Sequence, residues 1–203
     1  MCELRDWVVA ASSFPTRTTT PALSHRTPRP RPLPTTPQTQ KNSYGFNMSC
    51  IKKLAMAEPL VDVVDPSQLV CDRPALLHAL DMTKMPPAEG QPPGYASAFS
   101  SSFALTAASN NYVHALVAYF DVEFSACHKP LRFSTGPESR PTHWKQTVFY
   151  LDEALVIKKG ETVRGAFTCR PNASNPRDLD IEIEYELDGE VCKVKRKQEY
   201  RMR

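Results

Sequence analysis

The chain has 203 residues, which is enough for one domain or for one domain with a tail, and its formal net charge is +3 at pH 7. This charge is too small to predict nucleic-acid binding by itself. The six cysteines form no CxxC pair, which argues against structural zinc, and without a secretory signal we expect free thiols. The apolar run at residues 7–11 is too short for a membrane span, so we expect a soluble protein.

The first 43 residues differ in composition from the rest of the chain. From residue 7 to residue 43 the sequence is rich in Pro, Thr and Ser, carries four arginines and one lysine, and contains no acidic residue. Such a segment buries too little apolar surface to offset its ordering entropy, so we expect residues 1–43 to be disordered and dispensable. Three explanations stay open: a transit peptide, an SH3-type ligand at residues 31–37 (RPLPTTP), or unrelated sequence joined to the domain, which we favour.

The remaining sequence is typical of an all-β protein. Apolar residues at helical spacings predict one short helix within residues 44–57, which ends before Pro59. Beyond it, short apolar runs are separated by Pro and Gly residues, including a Pro/Gly-rich surface loop at residues 82–95. Short strands with such turns predict a β-barrel or a β-sandwich.

Residues 112–124 show the clearest long alternation. Asp121 and Glu123 mark the face of this predicted strand that reaches water. We interpret His114, on the apolar face, as a core histidine with its hydrogen bonds satisfied and not as a ligand. The apolar face is formed by His114, Leu116, Ala118, Phe120, Val122 and Phe124.

Residues 179–198 predict a β-hairpin. Apolar residues at the odd positions from 179 to 187 alternate with acidic residues, and Asp188-Gly189 favours a two-residue type I′ turn. We interpret the acidic row as a solvated strand face, because catalytic carboxylates would converge on a pocket. If Leu187 pairs with Glu190, the ladder pairs Glu184 with Lys193, Glu182 with Lys195, Asp180 with Lys197, Ile183 with Val194 and Tyr185 with Cys192.

Residues 141–150 (PTHWKQTVFY) join a turn-prone loop to a predicted strand. Because Pro141 cannot donate to a sheet ladder, the strand should start after it, with Thr142, His143 and Trp144 at the junction. An indole can bind a cation and stacks well on a planar guanidinium, and His143 could pair with a carboxylate. Residue types alone favour a simpler interpretation, a Trp that anchors one end of the barrel beside a solvated His.

The order of several motifs closely resembles the C-terminal half of the type I protein arginine N-methyltransferases. These motifs are YGFNMS at residues 44–49, EPLVDVVDP at 58–66, NNYVHA at 110–115, the THW loop at 142–144, RPNASNPRDLD at 170–180 and EYRMR at 199–203. The resemblance implies a substrate-binding β-barrel domain at residues 58–203, with Thr142, His143 and Trp144 at the pocket for the substrate arginine. It also implies a helical dimerisation arm at residues 44–57, whose docking residues are Tyr44, Phe46, Met48, Ile51, Leu54 and Met56.

The same resemblance implies an enzyme that transfers methyl groups from S-adenosylmethionine to Arg guanidinium groups of RNA-binding proteins and histones, including Arg/Gly-rich tails, in the nucleus and cytoplasm. The cofactor domain of that family has a Gly-rich first turn, whereas the seven glycines of this chain form no GxG. The two glutamates with which the family orients the guanidinium precede the arm and have no counterpart here.

We therefore expect the barrel portion of an arginine methyltransferase, which alone binds no cofactor or metal and transfers no methyl group. We expect no direct contact with nucleic acid or membrane. Without the partner's cofactor domain, the family homodimer should be impaired, and the apolar residues of the arm should stay partly exposed. The alternative is a non-catalytic module that binds Arg-rich tails, or pairs with an intact methyltransferase subunit and regulates it.

Overall fold

The structure is a computed structural model that describes residues 3–13, 51–81, 98–125 and 127–203. This part of the chain is mostly β-strand, which confirms the predicted all-β class. The part described contains no helix long and apolar enough to cross a membrane. In chain order the elements are β1 Glu3–Ser12, α1 Lys52–Ala57, β2 Leu60–Asp62, a 3-10 helix Pro66–Gln68, β3 Ala75–Leu80, β4 Phe99–Thr106, β5 Asn111–Phe124, β6 Leu131–Ser134, β7 Gln146–Ile157, β8 Thr162–Pro171, β9 Leu179–Asp188 and β10 Lys193–Met202.

The strands form two antiparallel sheets. The first has the order β2-β7-β5-β1-β3, with β6 also paired to β5, and the second has the order β10-β9-β8-β4. Within the ranges given above, no continuous ladder joins the two sheets, so the predicted β-barrel is present as two packed sheets that do not close. Both sheets contribute to the main core, whose largest fully buried side chains include Phe149, Phe167, Leu105, Leu116, Leu155, Ile157, Ile181 and Ile183.

Residues 1–43 were expected to be disordered and dispensable, and strand β1 contradicts the expected disorder for residues 3–12. It lies between β5 and β3 and pairs with both of them. Val9, Ala10, Ala11 and Ser12 are at most 2% exposed. Composition did not predict this strand, because the apolar run at residues 7–11 is short. The run becomes buried only when β3 and β5, which are distant in the sequence, lie on either side of it. Residues 14–43 lie outside the described residues, so the prediction for them stays untested.

We predict that trimming the buried side chain of Val9 destabilises the whole domain. Val9→Ala should lower the free energy of unfolding by about 2 kcal/mol, because it removes two methyl groups from a fully packed site. Val191→Ala is the matched control, since Val191 is 60% exposed, and it should change stability by less than about 0.5 kcal/mol. Urea unfolding of the two variants measures the difference, and equal effects would contradict the place of β1 in the core.

An irregularity in the pairing of β5 with β7, where β7 has the extra residues, changes the predicted faces of β5. The register with β7 shifts directly after Val113, so Val113, and not His114, joins Leu116 and Ala118 in the main core. His114 is half-buried beside Tyr112, with ring centroids 6.1 Å apart. Desolvation lowers the pKa of His114 below its ordinary value of 6.5. The prediction of an inward-facing core histidine is therefore wrong: His114 lies at the margin of the core.

The hairpin of β9 and β10 forms, but the predicted register is wrong. Glu184 pairs with Lys197 and Asp188 with Lys193, so each partner lies four residues further along β10 than predicted. Because the shift is even, the predicted faces survive it: Ile183 and Tyr185 remain buried, and the acidic row remains on the outer face. Ion pairs along that face join Lys193 to Asp188, Lys195 to Glu186 and Lys197 to Glu182.

The carboxylate of Glu161 accounts for the longer hairpin loop. Its two oxygens accept hydrogen bonds from the backbone N–H groups of Lys158 and Glu190, each at 2.8 Å. The N–H of Gly189 donates to the carbonyl of Cys192 at 2.9 Å, which closes a loop of four residues. A side chain at Gly189 would lie only 2.8 Å from the Glu161 carboxylate. These backbone hydrogen bonds lower the pKa of Glu161 below its ordinary value of 4.5.

We predict that Glu161 makes the stability of the domain depend on pH. A carboxylate with a lowered folded-state pKa stabilises the fold above its unfolded-state pKa, and this contribution is lost as the pH falls through the folded-state pKa. Glu161→Gln should therefore reduce the free energy of unfolding most at neutral pH, and its difference from wild type should shrink below about pH 4.5. Urea unfolding between about pH 3 and pH 7, the range in which carboxylates titrate, measures this difference. Glu138→Gln is the control, because Glu138 is exposed. A difference that stays constant with pH would show that the charge of Glu161 is not involved.

Candidate substrate-binding turn

Thr142, His143 and Trp144 lie in a tight turn that leads directly into β7, at the predicted junction. The N–H of Lys145 donates to the carbonyl of Thr142 at 3.2 Å, so His143 and Trp144 take the two central positions of the turn. The strand begins at Gln146. The turn therefore presents two ring side chains at the end of a strand whose position is set by the sheet.

The side chain of Trp144 packs against the rings of Phe120, Phe133 and His143, and we call these four residues the aromatic cluster. The indole lies edge-on to Phe120, with centroids 5.7 Å apart, and is stacked on Phe133 at 5.9 Å. The ring of His143 lies 3.9 Å from the indole centroid. Trp144 is still 49% exposed. An indole that is fixed by neighbouring rings and partly open to solvent is suited to receive a cation or a planar guanidinium.

The buried side chain of Gln146 fixes the strand end behind this cluster. Its Oε1 accepts a hydrogen bond from the N–H of Val64 at 2.8 Å, and its Nε2 donates to the carbonyl of Thr135 at 2.5 Å. The hydroxyl of Thr135 accepts from the N–H of Phe120 and donates to the carbonyl of Phe120. One satisfied amide thus links the segment after β2, the segment after β6 and the start of β7, and it supports the backbone that carries Phe120.

Lys145 links the turn to the edge strand β2. Its Nζ lies 3.3 Å from Oδ1 of Asp62, the last residue of β2, and this pair is part-buried. Its φ is +56°, and among the described residues it is the only non-glycine with positive φ. The hydroxyl of Thr142 is buried, without a hydrogen-bond partner in the part of the chain that is described.

A cavity of about 210 Å³ lies beside β5 and the segment that follows β6. Tyr119, Asp121 and Glu138 line it. Burial, together with the charges of Asp121 and Glu138, raises the pKa of Tyr119 to about 12.

In the described ranges, no group of three or more His, Cys, Asp or Glu side chains is placed to hold a metal ion.

The structure describes only three of the six residues predicted for dimerisation. Helix α1 packs against β7 and β10. Leu54 is 72% exposed and Ile51 is also exposed, but Met56 is 6% exposed, so the expectation that it stays exposed is wrong. The packing of α1 against the sheet accounts for the burial of Met56. Tyr44, Phe46 and Met48 lie outside the described residues, and the role of all six in dimerisation stays a prediction.

Sequence reasoning missed the residues that support the turn. Alternation predicts Phe120 on the apolar face of its strand but gives no sign that its ring contacts Trp144. The sequence likewise gives no sign that Phe133, Lys145 and Gln146 support the turn. No local pattern could have identified them, because their contacts join β2, β6 and the residues that follow these strands to the start of β7, and the three regions are far apart in the sequence.

Comparison with known proteins places this chain in a family. A family profile described as the arginine methyltransferase oligomerization subdomain matches residues 38–190. Protein arginine N-methyltransferase 1.1 of Arabidopsis thaliana is 54% identical over 160 residues, which cover 79% of this chain and 39% of the relative. Protein arginine N-methyltransferase 1 of Chlamydomonas reinhardtii is 51% identical over 162 residues, which cover 80% of this chain and 45% of the relative. The chain thus spans less than half the length of these relatives.

Two solved structures share the fold. The Trypanosoma brucei PRMT1 enzyme-prozyme heterotetrameric complex with AdoHcy aligns with a TM-score of 0.78 and 32% identity, covering 100% of this chain and 56% of that chain. Protein arginine methyltransferase 10 of Arabidopsis thaliana aligns with a TM-score of 0.63, covering 81% of this chain and 50% of that chain, and at 18% identity it shows the fold alone.

The residues of this chain that the structure describes do not fit the S-adenosylmethionine of the family. A doubly wound domain holds such a cofactor at the end of a parallel sheet, beside a Gly-rich turn. The strand pairs described here are all antiparallel, and the single α-helix among the described elements has six residues.

From the family profile, the two relatives and the neighbouring structure, we conclude that this chain belongs to the type I protein arginine N-methyltransferase family and corresponds to its C-terminal half.

Proposed function

We propose that this chain is the substrate-binding portion of an S-adenosylmethionine-dependent protein arginine N-methyltransferase. The whole enzyme would methylate Arg guanidinium groups of RNA-binding proteins and histones, including Arg/Gly-rich tails, in the nucleus and cytoplasm. The observation that carries the proposal is Trp144, an indole 49% exposed and packed against Phe120 and Phe133. His143 and Trp144 would border the pocket for the substrate arginine, and Thr142 would shape their turn.

The chemistry of arginine explains why this proposal assigns binding to this chain and methyl transfer to the other half of the enzyme. A guanidinium is planar and always charged in water, so a flat aromatic surface binds it without requiring a proton transfer. Its nitrogen becomes nucleophilic only when positioned carboxylates tune it. The methyl donor and those carboxylates would come from the other half of the family's enzyme. By itself, the described portion of this chain would bind and orient a guanidinium and would not alkylate it.

We predict that Trp144 contributes directly to the binding of an arginine side chain. Trp144→Ala should weaken binding of a fluorescent Arg/Gly-rich peptide by about two- to fivefold, the range for a cation–π contact at an exposed site. Fluorescence anisotropy measures the affinity. A peptide with citrulline in place of arginine, which keeps the shape but loses the charge, should bind wild type more weakly.

Tyr112→Ala is the matched control for this experiment, since Tyr112 is a similarly exposed aromatic residue at 54%. It lies at the opposite end of β5 from the segment that pairs with β6 and should leave the affinity unchanged. Equal losses for Trp144→Ala and Tyr112→Ala would contradict a specific arginine site. The proposal would also fail if the arginine and citrulline peptides bound wild type equally well.

A second candidate function is a regulatory module that pairs with an intact methyltransferase subunit. The matching family profile is described as an oligomerization subdomain, and the neighbouring T. brucei structure is an enzyme-prozyme heterotetrameric complex. Leu54, exposed on a helix that is packed against the sheet, is a suitable contact for such a subunit. In this candidate function the chain would supply the arm and the partner would supply the docking surface.

We predict that this chain alone does not form a discrete dimer but joins an intact arginine methyltransferase subunit through Leu54. An isologous dimer needs both the arm and its docking surface on each copy, and the docking surface is expected on the cofactor domain. Sedimentation of the chain mixed with the A. thaliana relative should show a mixed complex that Leu54→Asp abolishes. Leu131→Asp, at a position 61% exposed, should leave it intact. A discrete dimer of the chain alone that Leu54→Asp disrupts would contradict this account.

A further inference from the structure

The backbone of Lys145 adopts a conformation that its side chain opposes. A φ of +56° lies in the left-handed region, where the Cβ of any residue other than glycine approaches the following carbonyl oxygen. Glycine adopts this conformation without steric cost and is the usual residue where a turn requires it. A lysine that occupies it therefore destabilises the turn, and such local strain is found most often at functional sites.

The side chain of Lys145 offers a compensating contact that glycine could not make. Its Nζ lies 3.3 Å from Oδ1 of Asp62, with side-chain exposures of 43% and 31% for the two partners. Asp62 ends the edge strand β2, which pairs with β7 on the side away from β5. The ion pair thus connects the end of the turn to β2, whereas the hydrogen bond from Lys145 to Thr142 stays within the turn.

We propose that Lys145 is a positioning residue that holds His143 and Trp144 in the orientation that binds the substrate arginine. The left-handed backbone directs the chain from the turn into β7, and the bond to Asp62 keeps that backbone from relaxing. This inference rests on the proposed function for its consequence on arginine binding. The orientation of Trp144 can nevertheless be measured without any ligand.

A purely stabilising role does not account for the same observations. An ion pair between partly exposed side chains contributes little stability, and the left-handed backbone works against it. If the turn were needed only for stability, glycine at position 145 would serve better. The lysine is explained if its contact with Asp62 selects one geometry of the turn at the expense of stability.

The test uses the full chain and the ¹⁵N–¹H signal of the Trp144 indole, identified as the signal that disappears in Trp144→Phe. Lys145→Met and Asp62→Asn should each shift this signal and weaken binding of the Arg/Gly-rich peptide by about two- to fivefold, the range for a partly exposed ion pair. Lys145→Arg, which can still reach Asp62, should restore both properties. Lys193→Met removes a distant ion pair with Asp188 and is the matched control, for which neither property should change.

Lys145→Gly separates positioning from stability. It relieves the backbone strain, so its thermal midpoint should equal or exceed that of Lys145→Met, yet the Trp144 signal should shift and peptide binding should weaken. The proposal is overturned if Lys145→Gly or Lys145→Met leaves both the indole signal and the affinity at wild-type values. If wild type binds no arginine peptide, the proposed function fails, and the indole signals of the variants still decide whether Lys145 positions Trp144.

Discussion

The pairing of β5 with β1 on one side and with β7 on the other is the interaction on which the rest of the structure depends. Strand β5 has 14 residues and is also paired with β6 at its C-terminal end. Leu116 and Ala118 face the main core, while Ala115 and Val117 face a smaller cluster on the other side of the sheet. A strand that is paired on both edges and buried on both faces has little freedom to move, and it provides a fixed reference for the residues around it.

The candidate site uses that rigidity at one end of β5. Phe120 supports the indole of Trp144, and the hydroxyl of Thr135 holds the backbone of Phe120. Gln146 then joins Thr135 to the start of β7, where the turn ends. Loss of the buried amide would leave backbone donors and acceptors unpaired, which costs about 1–3 kcal/mol for each group. The exposed rings are therefore carried by a turn that packing and hydrogen bonds support.

The large exposed side chains of this domain are consistent with a protein that works in an assembly. Trp144 and Leu54 are the two on which the functional proposals rest, and they lie on the turn before β7 and on helix α1. Single exposed apolar side chains are common on protein surfaces, so it is the positions of these two, on the turn before β7 and on α1, that make them candidate contacts. The matching family profile describes an oligomerization subdomain, and the relatives are more than twice as long as the matched region. The family profile thus points to a role in assembly, and arginine binding is the function that we propose for the turn.

The sequence by itself determined the all-β class, the two faces of β9, and the location of Thr142, His143 and Trp144 just before a strand. These features depend on alternation and on turn residues, which act over a few neighbouring positions. Only the tertiary structure decided that β1 lies inside the sheet, that an irregular pairing of β5 with β7 leaves His114 at the margin of the core, and that Glu161 holds the hairpin in a register four residues away from the predicted one. It also decided that Phe133 meets Trp144 and that Lys145 reaches Asp62. Each of these outcomes is a contact between residues that are distant in the chain, and its energy depends on which strands become neighbours, which no local pattern specifies.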